Sequence, residues 1–123
     1  MTILIILFFC HFLADFTPLS TQKMLNAKAL GTPLMPIWEH ASVHSSLMMI
    51  PLYIFTKDIW FTFYLMGFQA LTHFMIDVWK GKMNLRFPIC RDNTNKAHWI
   101  LFGFDQFLHA VVIIIMYYLI INQ

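Results

Sequence analysis

The sequence predicts an all-α integral membrane protein, an antiparallel four-helix bundle with both termini on the non-cytoplasmic side. Three observations predict it. Of 123 residues, 59% are hydrophobic and only 11% are charged, far less charge than a soluble domain of this size displays. The apolar residues fall into four long runs, at 2–16, 37–55, 59–79 and 99–121. Each run carries one pair of His or Asp residues spaced by four: His11/Asp15, His40/His44, His73/Asp77 and Asp105/His109. Residues four apart lie one turn apart on the same helix face. Ionisable groups in apolar helices are costly and tend to face a bundle interior. One such pair in every run therefore points to a polar centre that all four helices build.

The first run is shorter than the ~20 residues that span a bilayer, so it needs local thinning or an extension past Asp15. It is not read as a signal peptide, because no basic segment precedes Ile3 and no small-residue cleavage pattern is present. The loop from Thr17 to Pro36 contains Pro18 and then a short surface helix over 20–30 carrying Lys23 and Lys28. Gly31, Pro33 and Pro36 break regular structure before the second run. Residues 56–58 form a tight turn, which makes the second and third helices antiparallel neighbours. The polar loop from Lys80 to His98 holds Gly81, Pro88 and an Asp92-Asn93-Thr94-Asn95 cluster.

Seven of the eight basic residues (Lys23, Lys28, Lys80, Lys82, Arg86, Arg91 and Lys96) lie in the two longer loops, and only Lys57 lies opposite. The positive-inside rule puts those loops in the cytoplasm. Trp38, Trp79 and Trp99 mark that interface, and Trp60, Tyr117 and Tyr118 mark the other. A net charge of +2 gives no case for nucleic acid; the basic loops suit anionic lipid head groups. Cys10, inside a run, reads as a packing residue, and its distance from Cys90 matches no zinc ribbon.

On this topology helix direction alternates as residue order alternates. The expectation is a shallow layer of Asp15, His40, Asp77 and Asp105 above a deep layer of His11, His44, His73 and His109. Clustered carboxylates in low dielectric repel and recruit a proton or a cation. Neutral imidazoles offer lone pairs to divalent ions, and mixed His/carboxylate sets suit Zn, with Fe and Mn as alternatives. All eight residues are candidate ligands to one or two ions, and Asp15, Asp77 and Asp105 are candidate catalytic groups. The competing reading is interhelical hydrogen bonding, worth ~0.6–2 kcal/mol a pair. Gln69 and Gln106 either orient ligands or act as such glue. Ser45, Ser46 and Thr72 serve helix packing, and the nine Met residues are apolar filler. His98 reads as interfacial, Asp92 as a turn former and Glu39 as an interfacial charge.

His-Phe-Leu-Ala-Asp-Phe at 11–16, His-Ala-Ser-Val-His at 40–44, Thr-His-Phe-Met-Ile-Asp at 72–77 and Phe-Asp-Gln-Phe-Leu-His at 104–109 resemble a family of small bacterial and phage membrane proteins. That family is catalogued as domain of unknown function 3307. The resemblance covers nearly the whole chain. It implies the fold, the importance of the pairs, and location in a bacterial inner (cytoplasmic) membrane or a phage-encoded equivalent. Many members place a Gln three or four residues after the first Asp; here the nearest Gln is Gln22.

The leading functional expectation is a metal-dependent hydrolase acting on a lipid or phosphoester at the cytoplasmic face, with Lys80, Lys82 and Arg86 steering an anionic head group. One alternative is a metal-ion or proton transporter or channel, which needs an oligomer because four helices make a small pore. Another is a structural or redox metal site, haem included. The expected partners are membrane lipids, an anionic head-group substrate and, for the transport alternative, further copies of the chain, with no nucleic acid.

Overall fold

A computed structural model describes all 123 residues. The chain is all-α with no sheet: α1 (Thr2–Phe16), α2 (Gln22–Leu30), α3 (Leu34–Thr56), α4 (Ile59–Arg86) and α5 (Lys96–Ile121), with a 3-10 turn at Pro88–Arg91. α3 packs along α4, α1 lies against α3 and α5, and α2 tucks between α3 and α4.

Local chemistry sets each boundary. α1 stops at Phe16 because Thr17, the residue before Pro18, is extended, as the proline ring requires. The Thr21 hydroxyl caps α2, and Gly31, in the left-handed region at φ 67°, ends it. α3 tolerates Pro36 in its first turn, but Pro51 lies inside the helix and has no N–H to offer the Leu47 carbonyl. The Cys10 thiol of α1 supplies the missing donor, with its sulfur 3.6 Å from that oxygen. Cys10 is thus a packing residue with one further task, closing a gap in a neighbouring helix.

Asp58 starts α4 by accepting from the Trp60 and Phe61 amides at 2.8 and 3.1 Å. Asp58→Ala should lower stability by about 1 kcal/mol, the usual value of such a cap; thermal unfolding in detergent is the check, with Asp58→Asn retaining most of it.

The four long helices cover the four apolar runs, but they differ in length and polarity. α4 and α5 are long and apolar enough to cross a membrane, while α1 is apolar but only 15 residues long. α3 is diluted by Glu39, His40, Ser42, His44, Ser45 and Ser46. α4 also runs to Arg86, well beyond the expected end at 79, because no proline or cap interrupts it before Phe87.

α2 is not the surface helix expected from its charge. Ala27 and Lys28 are buried. Gly31 and Gly81 meet backbone to backbone: a Cβ on Gly81 would overlap the Gly31 backbone and stand 2.7 Å from the Lys28 carbonyl oxygen. Asn84 of α4 donates to the Ala29 carbonyl at 3.0 Å. Glycine clearance and one side-chain amide thus clamp the end of α2 onto α4.

The helix interior divides along its length. One end is apolar: Ile3 and Leu7, Met48 and Leu52, Leu65, and Val112, Ile113 and Met116 form a core with Cys10. The other end carries the polar residues.

Candidate metal centre

Each of the four long helices delivers one pair to that polar end. His11 and Asp15 come from α1, His40 and His44 from α3, His73 and Asp77 from α4, and Asp105 and His109 from α5. The structure brings all eight together. The four deep imidazoles form a closed ring: centroid separations are 4.8 Å for His11–His44, 3.7 Å for His44–His73, 4.0 Å for His73–His109 and 5.2 Å for His11–His109. Rings this close leave no slot for a porphyrin between them.

The carboxylates sit above the ring. Asp15 Oδ1 is 3.0 Å from His40 Nε2 and 3.4 Å from His44 Nε2. Asp77 reaches His73 Nε2 at 3.3 Å and His109 Nε2 at 3.4 Å. Asp105 Oδ1 is 3.4 Å from His109 Nε2. His40, His44, His73 and Asp77 are completely buried.

Two overlapping groups are close enough together that they could hold a metal ion: Asp15, His40, His44 and His73, and separately His73, Asp77 and His109, the donor atoms of each lying within 4.8 Å of one another. His73 belongs to both. His11 and Asp105 belong to neither group. Several atoms of the eight residues approach closely yet make no hydrogen bond, among them His11 Nε2, His73 Nε2, both Asp77 oxygens, Asp105 Oδ1 and His109 Nε2. They approach one another at 3.2–3.4 Å, within ion-pair distance, without forming a hydrogen bond. Buried polar atoms without partners are costly. A cation among them removes that cost, and the donor set fits a divalent ion held by nitrogen and oxygen.

Sequence reasoning missed two members. Lys28 reaches into the centre, with its ammonium 2.9 Å from Asp15 Oδ1, 2.9 Å from His40 Nε2 and 3.6 Å from Asp77 Oδ1. Burial alone pushes this ammonium toward neutrality, but the Asp77 and Asp15 carboxylates outweigh it and hold the lysine pKa above its ordinary value. The small residues Ala27, Ala29 and Gly31 around it were the available signal, since they permit close approach. The second is Ser20, whose hydroxyl donates to the Ala14 carbonyl at 2.6 Å and lies 3.1 Å from His40 Nδ1. With its own proton committed, Ser20 accepts from Nδ1–H, which leaves the His40 Nε2 lone pair facing the centre. Gln22, by contrast, is exposed and bonded to Asn26.

Gln106 donates to Asp105 at 3.2 Å, as an orienting group should. Gln69 is buried with its carbonyl oxygen unpartnered. Glu39 stays apart, 3.9 Å from exposed Lys23. Asp92 accepts from the Thr94 amide and hydroxyl at 2.9 and 2.7 Å, a turn as expected, and those bonds hold its carboxyl below the usual range.

A cavity of about 330 Å³ opens beside the centre. Asp15 and Asp105 line it together with Lys28, Lys80, Arg91 and His98, and Phe16, Leu25, Leu101 and Phe102 give it apolar walls. Lys80 also lies 3.7 Å from Asp105 Oδ2. Two of the expected steering residues are elsewhere. Lys82 and Arg86 are exposed and do not line the cavity. Lys80 and Asn84 share the cavity face of α4, and a residue two positions along is turned ~200° away. Arg91 and His98, from the following loop and α5, stand in their place.

No curated protein and no solved structure matches this chain. A family model does match, over residues 3–123, which carries all four helix pairs and the lysine and serine beside them. The chain belongs to the family described as protein of unknown function (DUF3307).

Proposed function

We propose that this protein is a four-span membrane bundle, of the bacterial inner membrane or a phage-encoded equivalent, that binds a divalent metal and hydrolyses a lipid or phosphoester at the cytoplasmic face. The observation that carries the reading is the juxtaposition of the partnerless His/Asp atoms with a cavity that has cationic and apolar walls. That combination suits an amphiphile with an anionic head. Zn fits the donor set, as Fe and Mn would.

The membrane part of the reading rests on an inverted polarity. The buried face carries His11, His40, His44, His73, Asp77, Asp105 and His109. The outward faces carry Ile50, Ile54, Phe63, Leu71, Phe104, Phe107 and Ile114, all exposed. Such a continuous apolar exterior is normal against lipid and unusual in water. The basic residues gather at the polar end, next to where anionic head groups lie.

A bound divalent ion supplies a Lewis acid and an activated water at neutral pH. The chain's own residues then divide the work. Lys80 and Arg91 attract the anionic head. The phenyl rings of Phe16 and Phe102 exclude water along the tail. Asp105, oriented by Gln106 and open to the cavity, is placed to take the proton of an attacking water.

The test is turnover of a phospholipid and phosphoester panel by full-length protein in mild detergent. Expected are activity that chelator abolishes and metal restores, and a loss of about 100-fold or more in Asp105→Asn, the scale of general-base removal. Metal-loaded protein inert on the panel but conducting ions in liposomes would replace this reading with transport.

A further inference from the structure

We infer that Lys28 is a tethered cation standing where a second metal would bind, so that the centre takes one divalent ion, on the His73–Asp77–His109 side. The inference rests on the metal reading above and adds its stoichiometry and position.

The partnering of buried atoms divides the centre in two. In the first ligand group, Asp15 Oδ1 and His40 Nε2 each have the Lys28 ammonium at 2.9 Å. In the second, His73 Nε2, both Asp77 oxygens and His109 Nε2 have no hydrogen-bond partner. The ammonium stands at hydrogen-bond distance from the first half and reaches the second only at Asp77 Oδ1, 3.6 Å away. The Ser20 contact strengthens this division, because it presents the His40 Nε2 lone pair as an acceptor for the ammonium.

The ammonium is not a wandering surface group. Its backbone is held where Gly31 meets Gly81, and its side chain is 89% buried, with 11% exposed.

Charge points the same way. Asp15, Asp77 and Asp105 bring three negative charges, and Lys28 and Lys80 bring two positive ones. With neutral imidazoles the centre carries −1. One divalent ion makes it +1, whereas two make it +3. Uncompensated charge in a low-dielectric interior is expensive, and the ammonium raises the charge of a two-ion centre from +2 to +3, so it opposes the second ion. Coordination agrees: eight ligands closing on two tetrahedral ions leave no place for water, but His73, Asp77 and His109 around one ion leave a fourth position free, the pattern of catalytic zinc.

The experiment is metal stoichiometry by elemental analysis of full-length protein in mild detergent, dialysed against excess Zn. Lys28→Met and Lys28→Gln remove the charge, and Lys28→Arg keeps it. The expected values are one ion per chain in the native protein and in Lys28→Arg, and two in Lys28→Met or Lys28→Gln, whichever remains monodisperse and helical. Two ions in the native protein overturn the inference, as does one ion in a well-folded charge-removing variant. Binding of no metal by the native protein overturns it together with the metal reading itself. Should both charge-removing variants fail to fold, His109→Ala decides on the same assay: loss of the ion supports the assigned side, and retention overturns it.

Discussion

Gly81→Val should expel Lys28 from the centre while leaving the long helices in place. A Cβ at Gly81 already collides with the Gly31 backbone and comes within 2.7 Å of the Lys28 carbonyl oxygen. The obstruction is backbone, which cannot rotate aside as a side chain can, so α2 must lift from α4. The Asn84–Ala29 hydrogen bond at 3.0 Å is lost with it. Overpacking of this kind costs about 1–3 kcal/mol, and the loss of Lys28 from its carboxylates adds to that. Lysine labelling read by mass spectrometry measures the displacement. In the native protein Lys28 should react far more slowly than Lys23, whose side chain is 70% exposed; in Gly81→Val it should approach the Lys23 rate. An unchanged Lys28 rate would show that the glycine contact does not position α2.

His73→Ala should have the largest effect on metal affinity. His73 alone belongs to both ligand groups, it is fully buried, and its ring stacks on His109 and lies tilted against His44. Loss of groups that merely orient ligands costs 10–100-fold in affinity, so loss of this shared ligand should cost at least about 100-fold. It also opens a cavity among polar atoms that then lack partners, lowering the unfolding temperature. Competition against a zinc chelator reads the affinity. The exposed Asp92→Ala, distant in role from the centre, should leave it unaltered. An affinity unchanged in His73→Ala would mean that the imidazole ring serves only packing.

What could be read from the sequence follows from period. The pairs at spacing four lie in strongly apolar surroundings, so helix periodicity alone puts each on one face, and alternation of helix direction then matches depth to depth. His11, His44, His73 and His109 meet as that argument requires. Lys28 was not legible for the same reason. On a short helix of low hydrophobicity a lysine reads as solvated, and the small residues beside it permit a close contact without saying with what. Its burial depends on Gly31 and Gly81, fifty residues apart in the chain, meeting backbone to backbone. Ser20 was hidden likewise, since an irregular turn carries no period from which to infer direction. Arg91 and His98 were passed over in favour of Lys82 and Arg86 because α4 continues past its expected end, and helical rotation then turns the latter two away from the cavity. The Cys10–Leu47 contact needed knowledge that Pro51 leaves a carbonyl on α3 facing α1.

The most direct test of the central claim is X-ray absorption at the zinc edge on full-length protein loaded with one equivalent of Zn. The account predicts nitrogen and oxygen neighbours at about 2.0–2.2 Å, with the outer-shell scattering of at least two imidazoles that His73→Ala diminishes. A spectrum showing only oxygen neighbours, without imidazole scattering and indifferent to that substitution, would contradict it.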